Sequence, residues 1–413
     1  MVRSNPLPPL GWLLLAVLIP LVPSCAVRRS APAPAPAPVR VVKSSRSFLL
    51  ETNGARSVDA LIETIRRENN VPAVACAVVR SNRLVGIGAV GLRRWGFTNA
   101  AVALDDRWHQ GSLTKAMTAT LAAMLVDEGR IRWDSTLGEI FPDRAAAMNP
   151  RWRAVTLDQL TTNRGGAPTD LQSSGIWRVL WYFSGSPTAA RRLLLERLTA
   201  LPPSSEPGTR YEYSNAGFAL AGHMLETVMG RPWEELLTER VFFPLGMTSG
   251  SFGPPATPGL MDQPWGHQMS DGSPKPVPPE LGADNPAAIG PAGTVNCSVL
   301  DLARFAAFHL LGERRDSPIL AKASVQRLHT PVPNNDDYAH GWMVLDRSWG
   351  GAGRVLHHTG SNTQWYSVIW MAPARDFAVV VVCNLGAMGG VNAGNLATDQ
   401  IASRMVQEFL NSP

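Results

Sequence analysis

Apolar positions Val58, Leu61, Ile62 and Ile65 recur at helical spacing, which predicts an amphipathic helix ending near Asn69-Asn70. The period then changes. Residues 72–79 and 84–90 are nearly continuous apolar runs separated by Arg80-Ser81-Asn82-Arg83, the pattern of a β-hairpin. The far end of the chain repeats the theme: residues 365–371 and 377–383, with Ala372-Pro373-Ala374-Arg375-Asp376 between them, predict a second hairpin. Ile401, Met405 and Phe409 then share one face of a closing helix. Both ends supply strands and a helix, while the middle is helical and rich in loops. The expectation is an α/β (α+β) fold: an antiparallel sheet built from both chain ends, flanked by helices, with a helical lobe inserted.

Two helices stand out in the middle. Met117, Leu121, Met124 and Leu125 follow Ser112 at helical spacing as far as Gly129, and Gly217, Leu220, Ala221, Met224, Leu225 and Val228 share a face that ends at Gly230; glycine suits the residue just past a helix end. The Pro/Gly-rich segment from Gly253 to Pro291 reads as a long surface excursion. No internal repeat is evident.

With 413 residues and 45% apolar content, the chain can bury a sizeable core. Arg3, an uncharged apolar run from Leu10 to Leu21 and then Pro23-Ser24-Cys25 read as a signal peptide, too short to span a bilayer comfortably. The stretch resembles a bacterial lipoprotein signal in which Cys25 is lipidated after cleavage. An Ala-Pro tract to Pro38 follows, favouring an extended, semi-rigid spacer. This divides the chain into a leader (1–25), a tether (26–46) and one domain (47–413), exported to the periplasm or cell envelope and lipid-anchored at Cys25.

Charge follows the same division. The net +5 arises in the first 46 residues, whose six basic side chains meet no acid, leaving the body at −1; a near-neutral body argues against nucleic acid as a partner. Besides Cys25, the cysteines Cys76, Cys297 and Cys383 show no C-x-x-C spacing and form neither a zinc site nor a disulfide framework. They read as small buried apolar residues, with a Cys76–Cys383 bridge the open alternative.

Candidate chemistry begins with lysine scarcity. Of 38 basic residues only Lys43, Lys115, Lys275 and Lys322 are lysines, and only Lys115 has a Ser three residues before it. Arg keeps its proton in a protein, whereas a desolvated Lys can lose it and act as a base. Ser112 at a helix start, with Lys115 on the same face one turn later, is a nucleophile beside a base; Ser is equally a common helix N-cap. Tyr213 and Asn215 lie on the entry to the second helix, where Asn215 is either a functional group or the cap and Tyr213 packing beneath it. The pattern H-x-G occurs twice, as His109-Gln110-Gly111 and His358-Thr359-Gly360. Only the later copy lies where a strand can edge a cleft, with Gly360 allowing close backbone approach.

Ser112/Lys115, then Tyr213/Asn215, then His358/Thr359/Gly360 resemble, in that order, the serine β-lactamase and penicillin-recognising hydrolase family, in its branch of class C-like β-lactamases, DD-peptidases and esterases. Residues 155–160, 207–209, 244–248 and 291–293 look like segments of the same branch; Asn163-Arg164-Gly165-Gly166 departs from it, where relatives carry a His-Thr-Ser-Gly loop. The resemblance implies a Ser112 acyl-enzyme on an ester, D-amino-acid peptide or β-lactam. Lys115 and Tyr213 would share the proton work, a cationic Lys lowering the Tyr pKa toward phenolate. The backbone N–H groups of Ser112 and Ser361 would form the oxyanion hole. Asn215 would hold the substrate amide or the Lys115 amine, and His358 and Thr359 would face a substrate carboxylate, His358 titrating near its ordinary pKa of about 6.5. No metal or organic cofactor is called for, and the partner is a small-molecule or peptidoglycan-peptide substrate. The alternative is a non-catalytic peptidoglycan- or ligand-binding module on the same fold, which has no need of Ser112, Lys115 and Tyr213 together.

Overall fold

The computed structural model describes residues 49–280, 282–333, 337–351, 353–386 and 393–410; the expected leader, Cys25 and the Ala-Pro tether lie outside them. Strand β1 (Arg56–Ser57) precedes helix α1 (Asp59–Glu68), which buries Ile62 completely. The two apolar runs then pair as antiparallel β2 (Ala73–Arg80) and β3 (Arg83–Gly91). Ser81 and Asn82 turn between them with φ of 52° and 58°, the backbone that a two-residue hairpin loop requires. The other end of the chain supplies β4 (Met343–Asp346), β5 (Arg354–Ser361), β6 (Tyr366–Ala372) and β7 (Phe377–Cys383).

These seven strands make one sheet in the order β1-β3-β2-β7-β6-β5-β4, antiparallel except for the β1–β3 pair. The expectation of a sheet from both termini is met at its centre, where β2 and β7 lie side by side. Both strands are buried on both faces, so their runs are continuously apolar rather than alternating. Ala73, Ala75, Ala77 and Val79 face the large core shared with the inserted lobe; Val74, Cys76 and Val78 face a second core under α1 and the C-terminal helix α4 (Ala393–Leu410). Cys76, Cys297 and Cys383 are buried free thiols. Register explains why the first and last do not bridge: Cys76 stands opposite Val381 and Cys383 opposite Val74. The two are diagonal neighbours, a spacing of roughly 7–8 Å, too wide for a disulfide.

The inserted lobe is built around α2 (Thr114–Asp127) and α3 (Asn215–Met229). Helix α2 departs from the expected amphipathic stripe: every residue from Thr114 to Leu125 is buried, as befits the central rod of a lobe. Ser112 is not its cap. It sits in a 3₁₀ turn over Gly111–Leu113 that runs into the helix, and the α2 N-cap position, Leu113, makes no side-chain cap bond. Asn215 is not a cap either, because Ser214 accepts from the Gly217 N–H and Asn215 is the first helical residue of α3. The segment 253–291 is more ordered than a surface excursion: it contains a hairpin (Gly266–Ser270 with Ser273–Val277) and the 3₁₀ turn Ala287–Ile289. It ends in the buried helical turn Gly290–Gly293 against the site.

Among the described residues, the end of β5 is left without a partner strand on one side. Strand β4 pairs with β5 only from Arg354 to His357, so residues 358–361 extend beyond it, and the turn carrying Ser112 docks there.

Candidate active site

Two glycines let the nucleophile's turn reach the strand. Gly111 adopts φ of 49°, left-handed backbone that favours glycine. A Cβ on Gly111 would come within 2.3 Å of the Ser361 nitrogen, and one on Gly360 within 1.9 Å of the Gln110 carbonyl oxygen and 2.9 Å of the Ser112 nitrogen. The backbone of the turn therefore lies directly on that of β5, gathering the amide nitrogens of Ser112 and Ser361 in one place. The close approach at Gly360 had been expected from a substrate; the protein's own Gln110 occupies it.

Lys115 is fully buried and has three partners: Nζ lies 3.0 Å from Ser112 Oγ, 2.7 Å from Asn215 Oδ1 and 2.8 Å from the Ala292 carbonyl oxygen. The amine also sits 4.7 Å from the Tyr213 ring centroid and 5.7 Å from that of Phe218. None of these partners is a carboxylate. Desolvation accordingly holds the Lys115 pKa well below the ordinary lysine range.

Ser112 beside the Tyr213 hydroxyl acts to lower the phenol's pKa, but burial raises it and outweighs that effect. This runs against the phenolate expectation: burial disfavours the charged form of both groups, lowering the amine's pKa and raising the phenol's. Asn163 fixes the Tyr213 loop from both sides, its backbone carbonyl accepting from the Glu212 N–H at 2.7 Å and its Oδ1 from the Ser214 N–H at 3.1 Å. Its φ of 56° is one that Asn tolerates. The loop that departs from the family pattern thus supplies its own hydrogen bonding.

His358 is brought to the site but not into solvent. It is 3% exposed, its Nδ1 lies 2.6 Å from the Thr359 carbonyl oxygen, and its Nε2 lies 3.5 Å from the Tyr338 hydroxyl. Burial, and then the nearby Lys115, push its pKa down to about 3, so the expected titration near neutrality does not occur. Thr359 points to the opposite face of the strand from His358, beside the Tyr366 hydroxyl. Neither residue supplies a charge for a substrate carboxylate. The contributions of Gly111, Asn163, Tyr338 and the Ala292 carbonyl were missed; only the φ-tolerant Gly and Asn left any trace in the sequence.

A pH prediction follows. The ratio of kcat/KM for a carboxylate-bearing substrate to that for a neutral ester should stay constant from about pH 5.5 to 8.5, because His358 is neutral throughout. A ratio that falls as pH rises through about 6.5 would mean that His358 protonates in the complex.

The order and spacing of these elements place the chain among known proteins. The Beta-lactamase family model matches residues 58–402, and the chain belongs to that family. It is similar to penicillin-binding protein 4 of Amycolatopsis lactamdurans, 28% identical over 336 residues, which cover 78% of this chain and 84% of the relative. Protein flp of Staphylococcus aureus is 22% identical over 351 residues, and there the match spans 64% of the relative's length. Among solved structures, a penicillin-binding protein homologue from Pyrococcus abyssi, described as octameric, superposes with a TM-score of 0.67 at 22% identity over 84% of this chain and 76% of that one. A D-stereospecific amidohydrolase from Streptomyces gives 0.64 at 21% over 86% and 99%. The fold is that of penicillin-binding and β-lactamase-like proteins, and the chain is a β-lactamase-family hydrolase.

Proposed function

We propose that the protein is a serine acyl hydrolase working through a Ser112 acyl-enzyme on an ester, a D-amino-acid peptide or a β-lactam. The observation that carries this reading is the Lys115 amine, buried without a carboxylate and 3.0 Å from Ser112 Oγ. Asn215 Oδ1 and the Ala292 carbonyl can only accept, so they take two N–H bonds. As the neutral base that this reading requires, the amine has its lone pair left for the Ser112 hydroxyl 3.0 Å away.

In acylation the Ser112 oxygen bonds to the substrate carbonyl carbon while its proton passes to Lys115. The carbonyl oxygen becomes an oxyanion held by the Ser112 and Ser361 N–H groups, each such donor being worth ~10²- to 10³-fold in rate. Collapse breaks the bond to the leaving group, which takes a proton from Tyr213 as Lys115 returns one to Tyr213. Water then attacks the acyl-enzyme by the same route. Asn215 orients the amine in this scheme, and the neutral His358 favours substrates without an obligatory carboxylate.

Incubation with a fluorophosphonate, a penicillin and a p-nitrophenyl ester, followed by intact-mass and peptide mapping, tests the reading. One adduct is expected, on the peptide containing Ser112. An adduct on another residue, or none with any of the three together with no ester turnover, would refute it.

A further inference from the structure

The earlier H-x-G copy, His109-Gln110-Gly111, has no part in the scheme above, yet it leads straight into Ser112. Its histidine is buried, with no exposed side-chain surface. His109 Nδ1 accepts from the Gly111 N–H at 3.1 Å. A ring nitrogen that accepts carries no proton, so the proton sits on Nε2. Nε2 lies 2.8 Å from Asp284 Oδ1, on a carboxylate whose side chain is 8% exposed; the contact is one of distance and charge, because its angle is not that of a hydrogen bond.

The same carboxylate oxygen accepts from the Asn285 N–H at 2.7 Å and from Asn362 Nδ2 at 3.3 Å. Asn362 also donates to the Ala283 carbonyl at 3.2 Å, and it directly follows Ser361 in the chain. Asp284 therefore reaches both sides of the proposed oxyanion hole: the turn of Gly111 and Ser112 through His109, and the end of β5 through Asn362. Its other oxygen, Oδ2, is buried without a hydrogen-bond partner among the described residues. An incompletely satisfied buried carboxylate is costly, and stability alone gives no reason to keep one here.

We infer that Asp284 and His109 form a brace behind the oxyanion hole, holding the Ser112 and Ser361 N–H groups at one separation. The inference rests on the acyl-hydrolase reading. Both are positioning residues, since neither touches the reacting atoms. Oxyanion stabilisation depends on donors already aimed at where charge develops, and misplacement by about 1 Å costs up to ~10²-fold. The brace should therefore act on the transition state and leave ground-state binding nearly alone.

The test compares Asp284→Ala, His109→Leu and His109→Asn, using p-nitrophenyl acetate turnover and inhibition by phenylboronic acid, whose serine adduct places an oxygen in the hole. Asp284→Ala and His109→Leu should lower kcat by ~10- to 100-fold with KM changed less than about threefold. The boronate inhibition constant should rise in step with the loss in kcat/KM. In His109→Asn the amide oxygen can take the place of Nδ1 and keep the Gly111 bond, so this variant should recover most of kcat. Thermal melting establishes which variants are folded; if Asp284→Ala is not, the Leu/Asn comparison at position 109 decides. Folded variants with wild-type kcat, or a rise in KM as large as the fall in kcat, would overturn the brace while leaving the hydrolase reading intact. A wild type that neither hydrolyses the ester nor is labelled at Ser112 would remove both.

Discussion

Ser112→Ala and Lys115→Arg are each expected to lower kcat by about 10⁴-fold or more, and the double variant should be no worse than either single one. The alanine variant has no oxygen to acylate. The arginine variant puts a permanent cation there that cannot surrender its proton, and burying its charge beside Asn215 and the Ala292 carbonyl supplies no base. Because nucleophile and base act in one proton transfer, removing the second after the first has nothing left to remove. Steady-state kinetics of the three variants on one ester is the check. A Lys115→Arg enzyme within tenfold of wild type would show that Tyr213 alone serves as base. Losses that multiply in the double variant would show two independent catalytic routes.

Gly360→Ala is expected to destabilise the fold by about 4 kcal/mol or more, roughly 8 °C in Tm for a domain of this size. The added Cβ would stand 1.9 Å from the Gln110 carbonyl oxygen and 2.8 Å from Ser367 Oγ. Ser367 Oγ itself bonds to the Gln110 carbonyl at 2.8 Å, so the atoms that would have to yield are backbone and a bonded hydroxyl in a packed region. Gly129→Ala is the control. It also has positive φ, 67°, but nothing lies within 4 Å of its Cβ position, so only the left-handed strain of about 1–2 kcal/mol applies. Thermal denaturation of the pair measures the difference. Equal shifts would mean that the turn over Gly111–Leu113 can lift off β5.

The two hairpins were legible as short apolar runs broken by turn residues, and helix α1 and the closing helix by a period of 3.6 that comes from the chain's own geometry. The burial of α2 on all sides was not, since its threonines and alanines look neutral until other elements surround them. The hairpin over residues 266–277 was missed for a related reason: Pro274 and Pro276 fall in one of its strands, and proline in a short run argues against a strand.

The candidate site divides along the same line. The sequence by itself singled out the candidate groups: a lone serine-paired lysine at a helix start, Tyr213 and Asn215 at a second helix start, and a glycine strand edge. Those features are local, set by spacing and backbone preference. The tertiary structure decided what surrounds them. Lys115 takes its partners from 100 and 177 positions away, Asn215 and Ala292. His358 is enclosed by Tyr213, Tyr338 and the strand, and Asp284 reaches His109 from another part of the chain. Protonation follows desolvation and neighbouring charge, and both are fixed only when distant segments close around a side chain. A motif therefore names the groups, and the packed lobe sets which of them holds a proton.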